Sequence, residues 1–405
     1  MSSIAANQLP GDPHPKATPI GRDNSLPVPK ADGNLSFVLR GQEDAIFEQR
    51  ERKPLKDDEV EVNIRQTGIC GSDVHYLQHL RIGDFVVRKP MVLGHESAGI
   101  VTRVGKAVDT HKVGDRVALE PGVPCFMCDR CKAGTYNHCE KLVFAATPPY
   151  DGTLATYYNL NASFAHKIPD NMTLEEASLM EPLGVAVYST VFQGKAAPLQ
   201  NVLVFGAGPI GLLCAAVARA FGAKRVVVID VVDSKLQFAR SFCADSVYKP
   251  SLPKEGETPI AASERNANEL LGSDASSEDI RSKGGFDLVL ECTGAEPCVQ
   301  MGLFAARKRS RFVQIGMGRT PLSLPIHRIN INEIEMVGSF RYGSGTYRTA
   351  IDLVAEGKID VSRIVTHRYR FDEAHAAFEA TKRGKGEDGE QCIKVQICQG
   401  EASDA

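Results

Sequence analysis

Val202-Leu203-Val204-Phe205-Gly206-Ala207-Gly208-Pro209-Ile210-Gly211 is an apolar run that ends in Gly-x-Gly-x-x-Gly spacing. The apolar part reads as a buried strand, and the residues from Ile210 read as a helix rich in Ala and Leu, predicted over 210–221. Gly206 suits the tight turn between them, Gly208 lets a pyrophosphate approach the backbone, and Gly211 allows close packing of helix on sheet. Pro209 and Ile210 open the helix, whose N-terminus faces the phosphate charge.

Downstream of this stretch, strand and helix alternate. Strands are predicted over 201–205, 225–229, 286–291 and 312–315, with a second helix over 234–242. That grammar belongs to a doubly wound parallel sheet, an α/β dinucleotide fold. Asp230 closes the second strand, where a carboxylate bonds the adenosine ribose hydroxyls and repels a 2′-phosphate. No Arg follows it immediately, so NAD is expected over NADP. Lys235, on the next helix, is a candidate contact to the same ribose, and Ile315, Gly316 and Met317, after a later strand, are candidate contacts further along the cofactor. Residues 250–283 are polar and rich in Ser, Glu, Gly and Pro, and read as a long surface crossover with one helix near 260–271.

Upstream, the pattern changes to short β runs at 35–40, 59–67 and 97–104, punctuated by Gly99, Gly105 and Gly114. This fits a compact, bent antiparallel barrel. A helix is predicted over 175–191, with Thr173 as N-cap and Glu175 and Glu176 suited to the helix dipole. From about residue 340 the chain is expected to return to the first domain, through helices at 351–357 and 372–381 and a strand at 393–397. The expected division is therefore 36–192 with 340–405 as one domain and 193–339 as the other. Residues 1–35 hold six prolines without apolar periodicity and read as a disordered extension.

Cys70 sits in Gly68-Ile69-Cys70-Gly71-Ser72-Asp73, and Gly94-His95-Glu96 follows. A thiolate, an imidazole and a carboxylate suit a catalytic zinc, which takes three protein ligands and keeps a fourth position open. The third ligand is either Glu96 or Glu181, the latter in Met180-Glu181-Pro182-Leu183, where apolar neighbours argue for an inward carboxylate. Zinc lowers the pKa of bound water from 15.7 to about 7. A histidine base alone is worth only about 10²–10⁴-fold, so metal activation of an alcohol must dominate, with Ser72, His75 or Glu181 passing the proton outward.

Cys125, Cys128, Cys131 and Cys139 form a second, separate group at the spacing of a closed, structural zinc site. Eleven cysteines in a chain with no secretory signal read as reduced thiols and metal ligands rather than disulfides. The charge of −3 and 43% apolar composition describe an ordinary globular chain and give no reason to expect nucleic acid or a membrane as partner. A cytoplasmic location is the default expectation.

These motifs resemble those of the zinc-containing medium-chain dehydrogenases, and within them the polyol dehydrogenases of the sorbitol and xylitol type. The most specific stretches are Thr67-Gly68-Ile69-Cys70-Gly71-Ser72-Asp73-Val74-His75-Tyr76, Lys89-Pro90-Met91-Val92-Leu93-Gly94-His95-Glu96, Phe144-Ala145-Ala146-Thr147-Pro148 and Phe340-Arg341-Tyr342. The run Leu290-Glu291-Cys292-Thr293-Gly294 looks most like fungal xylitol dehydrogenases. The resemblance implies a GroES-like catalytic barrel beside a Rossmann domain, and a homotetramer. It implies that Cys70, His95 and Glu96 ligate the catalytic zinc and that Glu181 contacts the metal or its water. It also implies that Ser72, Tyr76, Phe144, Thr147, Arg341 and Tyr342 line a polyol pocket, and that Ser72 and His75 form a proton relay. The implied activity is NAD-dependent oxidation of a polyol to a ketose, xylitol to D-xylulose first. Sorbitol or L-arabinitol oxidation, a simple alcohol dehydrogenase and a cofactor-binding protein without turnover are the other readings.

Overall fold

A computed structural model describes residues 33–318 and 321–399. The chain divides into two compact units. Among the described residues, the first comprises 33–181 with 364–399 and the second 182–318 with 321–363. Most of the expected disordered extension lies outside the described residues. Its last three positions, 33–35, instead open the strand Gly33–Gly41, which pairs with Asp44–Glu51.

The first unit is built on a seven-stranded, mainly antiparallel sheet. Its central strand, Glu59–Gly68, pairs with Glu96–Val104, Tyr157–Asn161 and Lys394–Cys398. Alternation explains its placement: Val60, Val62 and Ile64 point into a core with Val101, Val117, Leu119 and Phe164. Glu61 points to the opposite face and is also buried, because Arg52 and Arg103 both pair with it. The strand Val365–Arg370, not anticipated, runs parallel to Lys394–Cys398.

The helix expected over 175–191 is interrupted. Thr173 caps Leu174–Ser178 with Glu176 reaching back, a reciprocal capping box. A new helix, Met180–Val187, then begins and widens into a π turn, Tyr188–Gln193. Pro182 supplies the reason, since it has no N–H to donate to the Ser178 carbonyl and its ring crowds that oxygen.

The second unit holds six parallel strands in the order Ser246–Tyr248, Arg225–Ile229, Asn201–Phe205, Phe286–Glu291, Ala306–Gln314, Glu335–Gly338. This is the doubly wound arrangement, with its order reversing between Asn201–Phe205 and Phe286–Glu291. Leu203, Phe205, Val289 and Phe312 lie in the core that covers one face, together with Ala267 and Leu270 of the helix Pro259–Gly272. The polar 250–283 stretch therefore carries a packing helix. The helix Thr346–Ala355 belongs to this unit, so the chain leaves it at about residue 364 and not at 340. The Tyr342 and Tyr347 rings lie 5.4 Å apart at a tilt of 59°, and both pack beside Gly184. Among the described residues, no helix is long and apolar enough to cross a membrane.

Candidate active site

Cys70 caps the helix Gly71–His79, and His95 directly precedes the strand Glu96–Val104, which Glu96 opens. One ligand atom from each of Cys70, His95 and Glu96 lies within 4.8 Å of the others. His95 and Glu96 are buried. Asp73 organises this corner: one oxygen accepts the Cys70 N–H (3.1 Å), the other the Gly94 N–H (2.9 Å). It also lies 3.6 Å from His95 Nδ1, as a carboxylate that orients a ligating imidazole does. Burial opposes charge on His95, but Asp73 and Cys70 together more than offset it, so the ring's pKa rises well above the usual histidine value. The corner favours positive charge, and a sulfur, a nitrogen and an oxygen donor fit zinc.

Lys394 is the residue that sequence reasoning missed. It is buried, forms an ion pair with Glu96, and donates to the Ile69 carbonyl at 3.0 Å. Burial works against its charge, whereas Glu96, Cys70 and Glu181 hold its pKa above the ordinary lysine value. The signal is a lysine between Ile393 and Val395 at the start of the strand Lys394–Cys398, whose first four residues are buried. Gly68 is required beside the pair, because a Cβ there would collide with Glu96 Oε2 and Lys394 Cε. In the zinc-free enzyme Lys394→Met leaves a sealed carboxylate without its ammonium, which costs about 3–5 kcal/mol. Urea unfolding after chelation should register that loss, and an unchanged midpoint would contradict the role given to Lys394.

The other expected residues of this unit are placed unevenly. Glu181 is buried but lies outside the three-atom cluster. Phe144 sets its ring 5.9 Å from that of His95, and Thr147 follows in a turn, its N–H donating to the Phe144 carbonyl. Ser72 is half-buried in the first turn after Cys70, while His75 is exposed, its ring 5.8 Å from His79. Tyr76 is buried in a cluster with Phe37, Leu77 and Phe378.

Cys125, Cys128, Cys131 and Cys139 bring their four sulfurs within 4.8 Å of one another. The Met127 and Cys128 N–H groups pull the Cys125 thiol down to about 6. Desolvation and the neighbouring sulfurs push Cys131 up to about 12. Four such groups ionise together only around a cation, so the set fits a closed tetrahedral zinc.

In the second unit, Gly206 takes φ +94 at the turn and Pro209 starts the helix Pro209–Ala220. Gly208 is the N-cap and Ile210 the second helical residue, and a Cβ at Gly211 would collide with the Gly206 carbonyl. Asp230 accepts the Ala207 N–H at 2.8 Å and the Val232 N–H at 2.9 Å, tying the glycine turn to the end of the adjacent strand. Lys235 is half-buried on the helix Asp233–Phe242. Ile315 and Gly316 both donate to the Glu291 carbonyl, and Met317 is exposed. Arg341 lies over the Phe340 ring at 4.9 Å, and Tyr342 is buried against Tyr347.

Residues 56–170 match the alcohol dehydrogenase GroES-like domain and residues 209–356 the zinc-binding dehydrogenase family. The chain is 50% identical over 354 residues to a probable D-xylulose reductase A of Aspergillus terreus, covering 87% of this chain and 96% of that one. The chain belongs to the zinc-binding dehydrogenases. The D-xylulose reductase A of Aspergillus oryzae is 49% identical over 359 residues, 88% of this dehydrogenase and 96% of its relative. A short chain alcohol dehydrogenase of Escherichia coli, solved with NADH, superposes with a TM-score of 0.78 at 26% identity, covering 91% of this chain and 100% of that one. The dehydrogenase thus combines a GroES-like unit with a Rossmann-type unit, as its motifs led one to expect.

Proposed function

We propose that this dehydrogenase oxidises xylitol to D-xylulose with NAD as hydride acceptor. The observation that carries the reading is half-identity to D-xylulose reductases along nearly their whole length. Cys70, His95 and Glu96 would hold the catalytic zinc, with Asp73 orienting His95 and Lys394 fixing Glu96. Glu181 would be the acid beside that site, and the four sulfurs of the 125–139 lobe would hold the structural zinc. Bound there, zinc would supply the Lewis acidity that makes a secondary hydroxyl acidic near neutral pH, and NAD held by the glycine turn and Asp230 would be the hydride acceptor.

The chain's own residues do the rest. Ser72 Oγ, next to the ligand corner, would take the hydroxyl proton and His75, on the solvent side of the same helix, would release it. Phe144 would close the pocket beside His95, with Thr147 and Tyr76 proposed as the polyol's other contacts in that unit. A polyol needs such polar matching because each unpaired buried group costs about 1–3 kcal/mol. A cytoplasmic homotetramer completes the proposal, and light scattering on the purified chain tests its assembly.

Initial rates with NAD against xylitol, sorbitol, L-arabinitol and ethanol, with and without a chelator, test the reaction. Xylitol should give the highest kcat/KM, and a clear preference for ethanol would overturn the reading. Asp230→Ser should lower kcat/KM for NAD by about tenfold or more, the size of a hydrogen bond to a charged group. A wild-type preference for NADP would contradict the role given to Asp230.

A further inference from the structure

Glu291 is fully buried at the last position of the strand Phe286–Glu291. Its Oε1 accepts the Thr293 N–H at 2.8 Å and the Thr293 hydroxyl. Its Oε2 accepts the Gly294 N–H at 2.8 Å and the Gln314 side-chain amide at 2.6 Å. Three of these partners, the two backbone N–H groups and the Gln314 amide, can only donate, and the Thr293 hydroxyl can do so too, a set that suits an ionised carboxylate. None of the four carries positive charge. Burial raises this carboxyl's pKa above the ordinary value, and the donors offset that only in part. Among the described residues no cation bonds to it; a buried carboxylate in such a setting is costly, and groups of this kind cluster where charge is used.

The position suggests the use. The Glu291 carbonyl accepts both Ile315 N–H and Gly316 N–H at 2.9 Å, so side chain and main chain together bind the loops after two adjacent strands. Those loops touch: a Cβ on Gly316 or Gly318 would collide with the backbone of Gly294. The Gly206 turn meets the same place, against Thr293 Cγ2. Three loops thus converge at the C-terminal ends of the strands, where dinucleotides bind in this topology. With Asp230 on the adenosine side, the half built on Phe286–Glu291 and Ala306–Gln314 takes the nicotinamide. That ring is cationic when oxidised and neutral when reduced.

We propose that Glu291 is a positioning residue of the nicotinamide half, holding these loops in register and, as a buried anion, favouring the oxidised cofactor over the reduced one. The inference rests on the NAD reading above. Dissociation constants for NAD⁺ and NADH are measured by calorimetry and fluorescence on the zinc-loaded enzyme, for wild type, Glu291→Gln, Glu291→Asp and Gln314→Lys. Glu291→Gln should weaken NAD⁺ binding on the order of tenfold more than NADH binding, the scale of one charge interaction across protein. Glu291→Asp keeps the charge and should preserve the wild-type ratio. Gln314→Lys sets a cation beside an intact Glu291 and should move the ratio as Glu291→Gln does, so it carries the test if that variant does not fold. Equal weakening of both forms, or an unchanged ratio in Gln314→Lys, overturns the proposal. A wild type that binds neither dinucleotide sinks the NAD reading instead.

Discussion

Cys70→Ala is expected to lower kcat/KM for polyol oxidation by at least about 10⁴-fold while NADH binds with unchanged affinity. Losing the sulfur removes one of three donors gathered within 4.8 Å, and the remaining imidazole and carboxylate are already engaged with Asp73 and Lys394. The size follows from acidity. A shift from 15.7 to about 7 is roughly 9 units, or about 12 kcal/mol at 1.36 per unit. A 10⁴-fold loss is about 5.4 kcal/mol, less than half of that ceiling. The glycine turn and Asp230 belong to the other compact unit, so cofactor affinity should survive. Steady-state rates, an NADH titration and zinc analysis together check the expectation. Zinc content should fall from two per chain to one, and turnover within tenfold of wild type would show that the chemistry does not depend on this corner.

Cys128→Ser is expected to unfold the 125–139 lobe and lower the thermal midpoint of the enzyme. Apart from Phe126 and Tyr136 resting on Phe164, the lobe has little apolar packing: its helix, Asp129–Lys132, is four residues long and contains no buried residue, and Met127 faces solvent. Ligation therefore supplies its order, worth about 10–16 kcal/mol in isolated zinc peptides. Serine offers no thiolate, and the crowding that raises Cys131 would then favour protonated sulfurs over a bound metal. Limited proteolysis should reveal new cleavage within the lobe, alongside the loss of one zinc. An intact lobe with two zinc ions per chain and an unchanged midpoint would contradict the assignment.

Much of the second unit could be read in advance. The strands at 201–205, 225–229 and 286–291 lie where the apolar runs placed them, because a central parallel strand is apolar on both faces and needs no partner to be recognised. Short edge elements were missed, as at Ser246–Tyr248, since three residues carry no period. The run expected at 312–315 proved to be the end of a longer strand, Ala306–Gln314, whose charged first half hides its nature. The helix over 175–191 had the right start and the wrong continuity, with Pro182 the overlooked breaker.

Asp73, Lys394 and Glu291 mark the limit of reading the site from sequence. Asp73 stood within a quoted motif without a role, because its bonds to Gly94 and His95 cross a gap that spacing cannot measure. By itself the sequence determined the glycine turn, the four-cysteine lobe and the sulfur, nitrogen and carboxylate donors, all set by residue type and spacing along short stretches of chain. Only the tertiary structure decided that a lysine 325 residues beyond Ile69 closes the metal corner, and that a buried strand-end glutamate binds two loops through neutral donors. The reason is physical: desolvation turns an ordinary charged side chain into a costly one, and only folding determines which charges lose their water and what they meet.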